Sequence, residues 1–226
     1  MTRIVVLGTG TEIGKTHASI AITSALTSMG ISVTALKPIE SGVPVNPKDA
    51  SSDAGSLAAF SSYPASTPPY AFVEPVSPHL AARRAGVKID IERIVAWVNG
   101  HSARAVLVET AGAVLSPLGK GQTNLDLTRV LAPNLVLLVA PDRLGVLNDV
   151  TAALHAWKTL APELPLPLVL LQPPASPDTS TGTNAEEIVA LDIAPQVFEF
   201  PRAKPTDPTV QDVVRSMLTA WRITER

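Results

Sequence analysis

Gly14-Lys15-Thr16, with further glycines at positions 8 and 10, carries the clearest chemistry in this chain. A loop of the form G-x-x-x-x-G-K-[ST] cradles phosphate in its backbone amides, sets a lysine at the β/γ-phosphates and places a hydroxyl on Mg²⁺. Counting back from Gly14, the first glycine of that form would fall on Thr9, so the strict spacing is missed by one residue, with Gly8 and Gly10 on either side. The surrounding parts are those that such a loop needs. Ile4-Val5-Val6-Leu7 is a short β-branched apolar run, expected as a buried strand entering the loop. Beyond Thr16, the residues Ala18, Ala21, Ile22, Ala25, Leu26 and Met29 share one helical face, and Gly30 ends the helix. Loop amides and a helix N-terminus then face an anion together. Gly10, Thr11, Glu12, Ile13, Gly14, Lys15 and Thr16 are the expected nucleotide-binding residues.

Other strand ends carry further candidates. The strand expected over residues 31–36 delivers Lys37-Pro38-Ile39-Glu40-Ser41-Gly42 at its C-terminal end, where open α/β sheets bind their ligands. Lys37 there is either a second cation for a phosphate or carboxylate, or a solvated lysine closing a strand. Residues 43–52 are polar and turn-rich, and Asp53 opens a short helical segment, as its cap or as a Mg²⁺ ligand. Ala105-Val106-Leu107-Val108 is a continuous apolar strand ending in Glu109, a placement that suits Mg²⁺ or a bridging water. Leu135 to Ala140 is another such strand. It leads through Gly145 into a helix over Val146–Leu160, with Asn148 as a cap or as part of an anion-binding mouth. Ser77-Pro78 is a good helix start, and His79 reads as an ordinary residue within it.

These residues need a frame, and the chain supplies one. Further strands are expected at 168–171, ending in Gln172, and at 197–200; further helices at 90–98, 184–191 and 209–221. Strands apolar on both faces that alternate with helices predict a three-layer α/β domain, a mostly parallel sheet covered on both sides, spanning residues 1–226. The chain is 46% hydrophobic and 17% charged, which supports a substantial core and excludes disorder. A net charge of -2 without a basic run argues against a nucleic-acid partner. No cysteine is present, so disulfides and thiolate metal sites are excluded. The opening residues lack a secretory pattern and no apolar run is long enough for a bilayer, which predicts a cytoplasmic protein with no membrane partner.

Taken in order, the loop at 8–16, the segment Lys37 to Gly42, Pro75-Val76-Ser77-Pro78-His79-Leu80-Ala81, Val108-Glu109-Thr110-Ala111-Gly112 and Leu144-Gly145-Val146-Leu147-Asn148 resemble the dethiobiotin synthetase family. The resemblance covers the first two-thirds of the chain. It includes the extra-residue form of the glycine loop, which is more specific than a general phosphate-loop match. It implies a homodimer of P-loop NTPase-like domains that uses MgATP, CO2 or bicarbonate, and 7,8-diaminononanoate. One amine becomes a carbamate, the carbamate is phosphorylated, and the second amine closes a cyclic urea. In that chemistry Lys15 and Lys37 would flank carbamate and γ-phosphate, with Thr11 and Ser41 hydrogen-bonding beside them. Thr16, Asp53 and Glu109 would hold Mg²⁺, and Glu12 belongs to the loop. Residues Gly145, Val146, Leu147 and Asn148 would bind the substrate carboxylate across the dimer interface.

Three departures from the family bear on this. Thr110 and Ala113 stand where glycines are usual, and a methyl at Ala113 would crowd substrate if the backbone there needed φ > 0. Gln172 stands near the asparagine that reads the base, and its amide is the expected substitute. The altered turn is the one feature that favours a regulatory nucleotide-binding module of the same fold without ligase activity. The presence of Lys37, which a sensor does not need at a γ-phosphate, favours the ligase. An early lysine in the glycine loop, expected of ParA-like relatives, is absent.

Overall fold

The apolar runs pair in parallel to form one central sheet. A computed structural model describes residues 1–44, 52–63, 65 and 67–221; the turn-rich stretch expected at 43–52 lies largely outside them. In chain order the elements are β1 (Thr2–Gly8), α1 (Lys15–Ser28), β2 (Val33–Leu36), β3 (Ile39–Ser41), α2 (Asp53–Phe60), β4 (Tyr70–Phe72), α3 (Pro78–Arg84), α4 (Ile91–Asn99), β5 (Ala105–Glu109), β6 (Pro117–Gly119), β7 (Gln122–Thr123), α5 (Asn124–Leu131), β8 (Leu135–Pro141), α6 (Val146–Leu160), β9 (Leu168–Gln172), α7 (Asn184–Ala190), β10 (Val197–Glu199) and α8 (Pro208–Ala220). Six strands make the main sheet in the order β10-β9-β8-β1-β5-β2, every neighbouring pair parallel. Two small ribbons, β3 with β4 and β6 with β7, flank it.

The alternation of side chains along β1 divides the core. Ile4 and Val6 face one layer, where Ala18, Ile22 and Leu26 of α1 meet Val214 and Met217 of α8. Val5 and Leu7 face the other, with Ile94, Leu131, Leu154 and Trp157 from α4, α5 and α6. Each large side chain buried this way contributes roughly 1.5–3 kcal/mol. The alanines of α1 let that helix lie close against the sheet, which keeps its N-terminus under the end of β1. Among the described residues no helix is long and apolar enough to cross a membrane.

The expected three-layer fold is therefore the observed one, and α6 has the bounds read from its pattern. Two local readings change. Ser52, not Asp53, caps α2: its side chain accepts a hydrogen bond from the Gly55 amide, and Asp53 is the first helical residue. Helix α5 has no counterpart among the expected elements, although Thr123 and Asp126 form a reciprocal capping box at its start.

Candidate active site

Strand order assembles the site. With β5 between β1 and β2, the C-terminal ends of three strands lie side by side, so the glycine loop, Glu109 and Lys37 become neighbours. The register that pairs Leu36 with Val108 makes Lys37 and Glu109 the next residues in line. They open onto a cleft of about 450 Å³ lined by residues 11–16, Lys37, Glu40, Ser41, Asp53 and Glu109, with Pro75–Pro78 and the turn at Ala111 and Gly112 beside them.

The loop geometry explains its unusual spacing. A Cβ on Gly8 would meet Ile13 Cδ1 at 2.6 Å and the Lys15 side chain at 3.1 Å, so Gly8 leaves room for both side chains in a loop one residue longer than the strict form. Gly10 has room for a Cβ; it enters through its carbonyl, which accepts from Lys15 Nζ at 2.6 Å. Gly14 begins α1 with φ 88°, a left-handed conformation that turns the following amides toward the cleft. Glu12 also adopts a positive φ of 56° without being glycine, a strain of order 1 kcal/mol that the loop retains.

Behind the loop lies a charge cluster. Glu109 is fully buried, and its Oε1 accepts from Thr16 Oγ1 at 2.8 Å and from Lys37 Nζ at 2.9 Å. Lys37 also forms an ion pair with Asp53. Its ammonium is held above the usual lysine range: burial works against the charge, and Glu109 and Asp53 more than offset it. Lys15 has no such close partner, and burial lowers it to about 8 despite the pull of Glu109. Asp53 and Glu109 thus meet around the Lys37 ammonium, with the Thr16 hydroxyl on Glu109, while Glu109 Oε2 is buried without a hydrogen-bond partner. Two carboxylates and a hydroxyl are hard oxygen donors, a set that fits Mg²⁺ sharing its ligands with phosphate. Among the described residues no group of three or more carboxylate, imidazole or thiolate side chains offers a closed metal cage.

The lowered Lys15 makes a pH prediction. Above about pH 8 the empty chain carries Lys15 neutral, and a triphosphate that favours the ammonium must draw in a proton as it binds. Affinity is then flat below about pH 8 and falls toward tenfold per pH unit above it. Calorimetric titration of ATP from about pH 7 to about pH 9.5 measures this slope. A flat profile over that range would show Lys15 fully charged in the empty chain.

Several expected residues sit elsewhere. Gly145 begins α6 with no side-chain cap, so Asn148 is not a capping residue. The Val146 side chain is fully buried in the core and its amide donates to Arg143 O, leaving the Leu147 and Asn148 amides at the helix mouth. None of the residues 145–148 lines the cleft of their own chain. Gln172 packs beneath the loop, its Nε2 donating to Gly14 O at 3.2 Å, and does not line the cleft either. Thr110 turns away from the cleft: its hydroxyl donates to Val6 O, and Ala113 is not among the positive-φ residues. The positive φ on which crowding by the Ala113 methyl depended is therefore absent. His79 is half-buried in α3 outside the cleft lining. Sequence reasoning assigned no role to Glu40, whose carboxylate accepts from the Asp53 and Ala54 amides.

Residues 2–206 match the AAA domain family. The chain is 36% identical to the ATP-dependent dethiobiotin synthetase BioD of Methylobacterium nodulans, over 83% of this chain and 88% of that protein. It is 41% identical to the enzyme of the same name from a Caulobacter species, over 70% of this chain and 71% of the relative. Among solved structures, a ParA family ATPase from Chlorobium tepidum superposes with a TM-score of 0.57 at 13% identity, covering 96% of this chain and 98% of that one. The MinD cell division protein of Aquifex aeolicus gives 0.55 at 13% identity, covering 97% of both chains. Those two likenesses concern the fold alone.

Proposed function

The chain belongs to the ATP-dependent dethiobiotin synthetase family, and from that membership we propose how its cleft performs the ligase reaction. The observation that carries the proposal is the pair of buried lysines, Lys15 and Lys37, sharing one cleft with Glu109 between the strand ends. Their charges answer the main difficulty of the chemistry, which is to bring an anionic carbamate against an anionic triphosphate.

In this reading an amine of 7,8-diaminononanoate attacks CO2, loses a proton and becomes a carbamate. A carbamate oxygen attacks the γ-phosphorus, the bond to the bridging oxygen breaks, and ADP departs. The second amine attacks the carbonyl carbon of the mixed anhydride, phosphate leaves with the bonding pair, and loss of the amine proton gives the cyclic urea. Lys15 leaves the Gly10 carbonyl for the β/γ-phosphate oxygens. Lys37 lies between nucleotide and carbamate, and Thr11 and Ser41 donate to their oxygens. Thr16, Asp53 and Glu109 would hold Mg²⁺, which when bound neutralises phosphate charge. Gln172 supports the loop at Gly14 on the nucleotide side. Because residues 145–148 do not line their own cleft, the Leu147 and Asn148 amides of a second copy bind the substrate carboxylate, and the working form is a homodimer.

Phosphate release from MgATP and bicarbonate, followed with and without 7,8-diaminononanoate and with the product weighed by mass spectrometry, tests the reading. Diamine-dependent release with a cyclic urea product is expected. Nucleotide binding without diamine-dependent turnover would leave a regulatory module in its place. Turnover by a species that sediments as a monomer would remove the second copy.

A further inference from the structure

Glu40 lies in β3, beside Ser41 and within reach of the Lys37 cluster, and only 7% of it is exposed. Its two oxygens accept from the Asp53 amide at 2.7 Å and the Ala54 amide at 3.1 Å. Ser52 Oγ accepts from the next amide, Gly55, at 2.9 Å. A helix leaves its first amides without internal partners. In α2 the first three are all taken, two of them by a carboxylate from another element. That carboxylate stands at the positive end of the helix, where a negative charge is favoured.

The residue so fastened is Asp53. Its amide is held by Glu40 and its carboxylate reaches Lys37, so its backbone and its side chain are fixed from opposite sides. The Asp53 side chain is 42% exposed, and packing alone does not lock it. The chain also tolerates a second buried carboxylate near Asp53, an electrostatic cost that a helix cap made by serine alone would avoid. Glu40 lines the cleft, and each of its oxygens is tied to an α2 amide, which makes it an anchor for that helix.

We infer that Glu40 is a positioning residue: by clamping the first turn of α2 it holds the Asp53 carboxylate where a divalent cation is bound beside Glu109. The inference rests on the reading of Asp53 as a metal ligand. Partners in the outer shell of a metal site typically change metal affinity by 10–100-fold.

The test measures Mn²⁺ affinity for the protein–ADP complex by electron paramagnetic resonance, independently of turnover. Glu40→Ala is expected to weaken Mn²⁺ about tenfold. Asp53→Ala is expected to weaken it at least as much, and the double variant to match Asp53→Ala alone, because Glu40 acts through Asp53. Ser52→Ala removes the other cap of the same helix and controls for general loosening; it should lower the melting temperature while Mn²⁺ affinity stays at the parental value. Normal Mn²⁺ affinity in Glu40→Ala with a weakened Asp53→Ala would overturn the inference and leave the Asp53 reading standing. An equal loss in Ser52→Ala would reduce Glu40 to a structural cap, and additive losses in the double variant would show Glu40 acting on the cation independently of Asp53; either result overturns the inference. Parental affinity in Asp53→Ala would remove both readings.

Discussion

Lys37→Ala is expected to bind ATP within a few-fold of the parent while turning over roughly 10²–10³-fold more slowly. The separation follows from where the lysine sits. In the proposed reading nucleotide is held by the loop amides, Lys15 and Thr16, and the side-chain hydrogen bonds of Lys15 and Thr16 go to Gly10 and Glu109, not to Lys37. Lys37 instead joins Glu109 to Asp53 at the rim where carbamate and γ-phosphate would meet. In the proposed mechanism its removal would take away a charge used when the two anions approach, not when the first one binds. The loss has a stability cost as well. Glu109 would keep a buried carboxylate without its ammonium, a break of order 1–3 kcal/mol once the exposure of Asp53 is allowed for. Added Mg²⁺ should restore part of that stability in the variant and raise its melting temperature more than it does the parent's. Calorimetric ATP binding beside single-turnover phosphate release checks the separation. Parental turnover in Lys37→Ala would take the lysine out of the mechanism, and a parallel loss of ATP affinity would make it a nucleotide ligand.

Much of this arrangement was legible in the residue pattern, and the rest was hidden for identifiable reasons. Strands buried on both faces leave continuous apolar runs, so β1, β5, β8 and β9 stood out without periodicity. The glycine loop and the residues at strand ends, Lys37 and Glu109, followed from them. Their adjacency did not, because it depends on β5 lying between β1 and β2, an order that local sequence does not encode. The ribbons β3–β4 and β6–β7 have strands of two or three residues, too short to show alternation. Helix α5 was overlooked although its capping box is written in Thr123 and Asp126.

Side-chain direction was the less legible quantity. Thr110 stands where the family has glycine, yet its hydroxyl points to the Val6 carbonyl and it does not line the cleft. Asp53 looked like a helix cap because Asp is common there, and Ser52 one residue earlier takes the position. Glu40 gave no signal at all: its partners lie in another element, and neither spacing nor composition links a strand carboxylate to a helix that begins 13 residues later. These are tertiary choices between equivalent local options, which pattern reading alone does not settle.

Glu109→Gln is expected to reduce turnover by roughly 10²–10³-fold with little change in fold, through loss of charge at constant shape. The amide oxygen can still accept from Thr16 and Lys37, so the two hydrogen bonds to Oε1 survive in geometry. What disappears is the negative charge, with the unpartnered Oε2 that would give a hard cation its place in the proposed reading. The effect should reach Lys15, because Glu109 is the strongest influence holding that ammonium up against burial, whereas Lys37 pushes it down. Glu109→Gln therefore moves the fall in ATP affinity below the parental value of about 8, and Lys37→Ala moves it above. Two variants that both lose activity would thus shift one binding profile in opposite directions, a contrast that general damage to the site does not produce. Measuring ATP affinity against pH for both resolves the matter. Shifts of the same sign would show that the field of Glu109 and Lys37 does not govern Lys15, and the electrostatic account of the cleft would have to be abandoned.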